Sequence, residues 1–102
     1  MNLSMPEQLV HTQVYESWMI KIFTTPKGAF EYIVKYKGSG YEGKGYTTQN
    51  EALTAAIAYI DAELRFLAGW DSWVRGEALP EGADSDFIEG WTESSWAGAR
   101  VA

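Results

Sequence analysis

The sequence predicts an α+β fold: a three-stranded antiparallel meander with one helix packed on a face, then an irregular, Trp-rich acidic C-terminal extension. Three observations carry this. Two stretches of alternating apolar and polar residues flank the reversal "TTPKG" at 24–28. The glycine turn "KGSG" at 37–40 leads into a third extended stretch. Apolar residues then recur at helical spacing from Leu53 to Leu67.

Residues 1–13 read as an N-terminal arm or a short helix. Ser4, Pro6 and Glu7 fit a helix start, with Leu9 and Val10 as its apolar side. A β-β-β-α core is expected over residues 14–69. Its first strand is Tyr15–Phe23, with Trp18, Ile20 and Ile22 on one face and Ser17, Met19 and Lys21 on the other. The second is Ala29–Lys37, where Phe30, Tyr32, Val34 and Tyr36 alternate with Glu31, Ile33, Lys35 and Lys37. The third is Tyr41–Thr47. Gly43 and Gly45 share a parity there, so one face is nearly bare, which suggests a bulge or a close approach of another backbone.

Thr48 with Glu51 three residues later fits a capping box. The helix is expected from about Gln49 to about Ala68, with Leu53, Ala56, Ile57, Ile60, Leu64 and Leu67 as its apolar stripe. Gly69 is a suitable stop.

The extension covers residues 70–102. "GEALPEGADSD" reads as a loop or linker. Asp84 or Ser85 can cap a short helix with Phe87, Ile88 and Trp91 on its apolar side. Gly90 within it works against that helix by about 1 kcal/mol. "WAGARVA" is a short strand or disordered.

The stretch from Trp18 to Asp61 resembles small bacterial β-β-β-α modules of the YegP-like kind. Trp18, Phe30, Tyr32, Gly38, Gly40, Tyr46, Thr47 and the Ala-rich helix carry the likeness, over roughly residues 15–68. It implies the order of the elements and no active site. The aromatic, acidic extension has no counterpart in that pattern.

Composition narrows the function. At 102 residues the chain is one domain on size grounds. With no cysteine there is no disulfide, thiol catalysis or cysteine-held metal, which fits a reducing cytosol, and a cytoplasmic location is expected. No apolar run approaches the ~20 residues of a membrane span, and "MNLSMPEQLVHTQ" does not read as a secretory signal. The net charge is −6, and it is uneven: seven acids face six bases over 1–69, but seven face two over 70–102. That field opposes phosphate-backbone binding and suits a neutral or basic protein partner.

No residue pattern points to catalysis. His11 is the sole histidine and lies in a weakly patterned segment. Asp84, Asp86 and Glu89 read as a solvated acidic turn rather than an acid–base pair. "DSDFIE" lacks the calcium-loop ligand series, and "KGSGYEGKG" lacks the phosphate-loop spacing. Lys21, Lys35 and Lys37 beside Tyr15, Tyr32 and Tyr36 would suit base stacking, but the acidic molecule argues for a plain solvated sheet face. No catalytic residue, cofactor or metal ligand is therefore assigned, and neither nucleic acid nor membrane is an expected partner.

The tryptophans remain. Trp70 and Trp73 are expected to pack back over the helix end or the sheet edge. Trp91 and Trp96 belong either to the chain's own core or to an interface. The expected function is a non-enzymatic protein-interaction module, an adaptor or assembly chaperone. It would hold another protein, or a second copy as a homodimer, through a sheet edge or an aromatic surface. The candidate partner-binding residues are Trp91, Trp96, Phe87, Tyr41, Gly43, Gly45, Tyr32 and Tyr36. The alternatives are an acidic, nucleic-acid-mimicking inhibitor of a DNA- or RNA-binding protein, and a small carbohydrate-binding or hydrolytic protein.

Overall fold

The structure, a computed structural model, describes residues 7–98. Four strands precede two helices: β1 (Gln8–Tyr15), β2 (Trp18–Thr24), β3 (Phe30–Tyr36), β4 (Ser39–Tyr46), α1 (Gln49–Val74) and α2 (Ser85–Trp96). The strands form one antiparallel sheet in the order β1-β2-β3-β4. The chain divides into two compact units between Ile60 and Asp61, a boundary that falls within α1. No helix among the described residues is long and apolar enough to cross a membrane.

The α+β class and the antiparallel meander hold, but the sheet has four strands, not three, and there are two helices. The added strand is β1. It replaces the arm or short helix expected for its residues; Met1–Pro6 lie outside the described residues. The expected first strand began too early, because Tyr15 closes β1 and Trp18 opens β2. Between them Glu16 (φ 50°) and Ser17 (φ 70°) make a two-residue turn. Positive φ at both central residues matches the twist of a hairpin, and Asn-Gly is its usual sequence. Neither is present here, so the turn had no signature.

The other reversals follow their sequence signals. In "TTPKG" the Thr25 N–H donates to Ala29 O (2.8 Å), and the Ala29 N–H donates to Thr25 Oγ1 (3.1 Å). Lys37, at φ 53°, turns β3 into β4. The β3–β4 register slips between Phe30 and Tyr32, and Gly45 at φ 87° sits in that slip, so the expected bulge is present.

In the first unit, Trp18, Ile20, Ile22, Tyr32 and Val34 are buried on one sheet face. Ala52, Ala56 and Ile60 are buried on α1 at intervals of four residues, one stripe of the helix. The cap is formed as expected at Thr48, whose Oγ1 accepts from the Glu51 N–H (3.0 Å). Glu51 reaches one residue further back than a capping box, to the N–H (3.1 Å) and hydroxyl of Thr47. Those donors hold the Glu51 carboxyl below the usual carboxylate range.

The second unit is a helical hairpin. α1 does not stop at Gly69 but runs on to Val74. Its stop is Gly76, at φ 78°. The Gly76 N–H donates to Trp73 O (2.9 Å) and the Glu77 N–H to Ser72 O (3.0 Å), the paired bonds of a Schellman motif. Gly69 serves close approach instead. A Cβ there would stand 2.0 Å from Phe87 O, and one at Gly90 would stand 1.9 Å from Phe66 O. The two glycines let the backbones of α1 and α2 touch, which explains why Gly90 is tolerated in a helix despite its propensity. The extension is thus helical where it was expected to be irregular. Asp84 caps it, its Oδ1 accepting from the Phe87 N–H at 3.0 Å. α2 ends at Trp96; positions 99–102 lie outside the described residues.

The unit boundary sorts the charge more sharply than residue 69 does. Residues 1–60 carry five acids and five lysines, whereas residues 61–102 carry nine acids and three arginines. The whole net charge of −6 therefore belongs to the second unit.

Candidate functional site

The eight candidate residues fall into two groups, one in each unit. In the sheet unit, Tyr32 is buried and its ring lies over Gly43, where a Cβ would meet Tyr32 Cε2 at 2.3 Å. At Gly43 the bare strand is thus filled by an aromatic ring and not by another backbone, whereas nothing lies within 4 Å of a Cβ at Gly45. Burial pushes the Tyr32 phenol up to about 12, and neighbouring Tyr46 and Tyr41 add to the shift. Tyr36 is half-buried and stacks on Trp18 (centroids 5.4 Å, planes 23° apart). Tyr41 is 51 % exposed on the edge strand β4 and lies flat against Tyr59 (4.4 Å, 5°). Gly45 is exposed in the bulge.

Lys37 joins this cluster, its Nζ 5.3 Å from the centroid of the Tyr36 ring, but Lys21 and Lys35 do not. Tyr15, Tyr32 and Tyr36 share the face of Trp18, whereas Lys21 and Lys35 point from the opposite face. The basic–aromatic patch considered for base stacking is therefore split across the sheet. The opposite face carries Leu9 and Val14 of β1, Met19 and Phe23 of β2, and Ile33 of β3. Val14 is 63 % exposed and Met19 38 %. Met19, Lys21, Phe23, Ile33 and Lys35 line a depression of ≈ 220 Å³ there.

In the hairpin unit, Phe87 and Trp91 share the inner face of α2 with Gly90 and Ser94. Trp91 meets Trp73 edge to face at 4.9 Å, and its Nε1–H donates to Glu77 O at 3.1 Å. That ring is half-buried and fully engaged within its own chain. Trp96 is different. It is 81 % exposed, on the outer side of α2 with Ile88, which is also exposed. Ser85, Ile88, Glu89, Thr92, Glu93 and Trp96 line one open groove of ≈ 520 Å³. Trp70 stays in the hairpin, against Phe66 at 6.3 Å.

No protein-family model matches the chain, and neither curated proteins nor solved structures give a match.

The acids of "DSDFIE" have structural tasks. Asp84 caps α2, and Asp86 Oδ2 accepts from Arg65 Nε (3.0 Å) and Nη2 (2.9 Å). Asp86 and Asp84 in turn hold the Arg65 guanidinium above its ordinary value. Arg75 and then Ser72 bond Glu77 and hold its carboxyl below the usual range. His11, in β1, shares a 2.7 Å hydrogen bond with Gln13. Among the described residues no three His, Asp or Glu side chains converge on a point that could hold a metal ion.

Sequence reasoning singled out Trp96 but missed Ile88 as its companion, and missed the apolar stripe on the far side of the sheet. Helical phase held only part of the first signal. At 100° per residue Trp96 lies about 140° around the helix from Trp91, but Ile88 lies about 60° from Trp91 and about 80° from Trp96, so phase alone does not assign it. The second needed β1, whose existence the missing turn signature hid.

Proposed function

We propose that the chain is a non-enzymatic protein-interaction module, an adaptor or assembly chaperone, that holds its partner on the outer face of α2. One observation carries this: Trp96 is 81 % exposed on the same groove as exposed Ile88. An indole has up to ~250 Å² of surface, so at ~25 cal/mol per Å² its coverage is worth several kcal/mol. Tryptophan is also the residue most often found anchoring interfaces. Phe87 and Trp91 support the site from beneath, as the packing that holds α2 in place. The β4 edge supports the reading less well, because the bulge at Gly45 interrupts it and Glu42 and Lys44 lie along it. Tyr41 remains the exposed aromatic of that edge.

The carboxylates support a binding role over a hydrolytic one, since Asp84, Asp86 and Glu77 are held by caps and guanidinium groups. The likeness to YegP-like modules adds no activity to the reading.

Affinity capture with the full chain tests it, run beside Trp96→Ala. The variant should keep the wild-type circular dichroism and lose the captured protein. Equal capture by both forms would remove the outer face of α2 from the account.

A second reading draws on the charge sorting. Nine acids against three arginines in residues 61–102 suit an inhibitor that offers carboxylates in place of nucleic-acid phosphates. It predicts that the captured protein binds DNA or RNA, and that nucleic acid displaces it.

A further inference from the structure

The two exposed apolar faces are complementary in charge and in dimension. The outer face of α2 presents Ile88, Thr92 and Trp96 in a row at intervals of four, with Glu89 and Glu93 in the neighbouring row. α2 contains no lysine or arginine. The open sheet face presents Met19, Phe23 and Ile33, with Lys21 and Lys35 among them. Neither lysine has an ion-pair partner among the described residues. No carboxylate on that face pairs with them: Glu31 forms no ion pair among the described residues, and Glu42 pairs with Lys44 at 3.5 Å.

The spacings also agree. From Ile88 to Trp96 the helix rises about 12 Å at 1.5 Å per residue. From Met19 to Phe23 the strand advances about 13 Å at 3.3 Å per residue. Lys21 pairs across the strands with Ile33, so Lys35 is its diagonal neighbour, at about 7–8 Å. Glu89 and Glu93 are one helical turn apart, a rise of about 6 Å. A helix laid along β2 would set its apolar row on Met19 and Phe23 and its two carboxylates beside the two lysines.

We propose that α2 of one copy docks on the open sheet face of a second copy, head to tail. The proposal rests on the reading of the outer α2 face as a binding surface and names a partner for it. The contact joins two different surfaces, so one copy keeps its sheet face unused and the other its helix face. Association then grows into open chains or closes into a ring, rather than stopping at a two-fold dimer. The apolar rows give the attraction, and the Glu–Lys pairs fix the direction and register.

Sedimentation velocity of the purified full chain tests this. The wild type should associate with rising concentration, and less so as salt rises. Trp96→Ala alone should weaken association by about thirty-fold or more, as loss of a central aromatic anchor does. Lys21→Glu/Lys35→Glu should weaken it as well, with an unchanged thermal unfolding curve. The decisive sample is a mixture of these two variants. One keeps a working helix face and the other a working sheet face, so together they should give a 1:1 heterodimer that grows no further. A monomeric wild type up to about millimolar concentration overturns the proposal, and so does a mixture that stays monomeric. Capture of a different protein through Trp96 would then still stand, so failure here is separable from failure of the underlying reading.

Discussion

Gly90 and Phe66 are in backbone contact: a methyl group on Gly90 would lie 1.9 Å from the Phe66 carbonyl oxygen. Glycine is the one residue that lets α2 lie this close to α1. In an exposed helix Gly→Ala stabilises by up to about 1 kcal/mol. Here the sign should reverse. Gly90→Ala must push the helices apart, and overpacking of this kind costs about 1–3 kcal/mol. Urea unfolding followed by tryptophan fluorescence should show the loss. Gly38→Ala, where the added carbon meets nothing within 4 Å, should stay within about 0.5 kcal/mol of wild type.

Asp84 and Asp86 should differ in weight. Asp84 supplies the cap of α2, and replacing such a residue by alanine costs about 0.5–2 kcal/mol. Asp86 makes an exposed pair with Arg65, and pairs of that kind contribute little and fade with salt. Thermal unfolding at low and high salt should rank Asp84→Ala as the more damaging. Both deficits should shrink in high salt, because Asp84 also pairs with Arg65 (3.7 Å), but the Asp86→Ala deficit should shrink by the larger fraction.

Glu16 and Ser17 hold positive φ without glycine or asparagine. Left-handed backbone costs an ordinary residue roughly 1 kcal/mol. Glu16→Asn/Ser17→Gly should therefore raise the unfolding free energy by about 1–2 kcal/mol, seen as a higher urea midpoint at unchanged slope. No gain would mean that the β1–β2 turn is not built as described.

Tyr32 links the sheet core to pH. Its phenol is raised to about 12 from the ordinary 10, mainly by burial. The unfolded chain thus loses this proton first as pH rises, while the native state keeps it. The stabilising contribution is complete below about pH 10 and declines as pH climbs from about 10 to about 12. Tyr32→Phe should flatten the stability profile in that window. Tyrosinate absorbance should show that Tyr32→Phe removes one phenol that ionises near pH 12.

What was legible in the sequence was local. β2, β3, the Thr48 cap and the Asp84 cap each follow from a few adjacent residues, because strand alternation and orphan helix amides are short-range needs. What was hidden depended on partners distant in the chain. The Glu16–Ser17 turn lacks turn residues, so β1 was merged into the arm before it. Gly69 looks like a helix end until Phe87 is seen against it, whereas Gly76 ends α1 through its own positive φ. Tyr32 and Gly43 fit together across two strands, which alternation alone cannot specify. Trp91 and Trp96 are only five residues apart, yet the helix turns one inward against Trp73 and the other outward.

The claim that most needs a direct test is that the outside of α2 meets another protein in the cell. Trp96 can be replaced by photoreactive benzoylphenylalanine, an aromatic of similar bulk, in cells that make the protein, with Lys27 replaced in the same way as a reference. On irradiation, position 96 should give a discrete cross-linked species and position 27 none; an adduct of twice the chain mass would name a second copy as the partner. Position 96 giving no adduct, or the same faint background as position 27, would contradict the account.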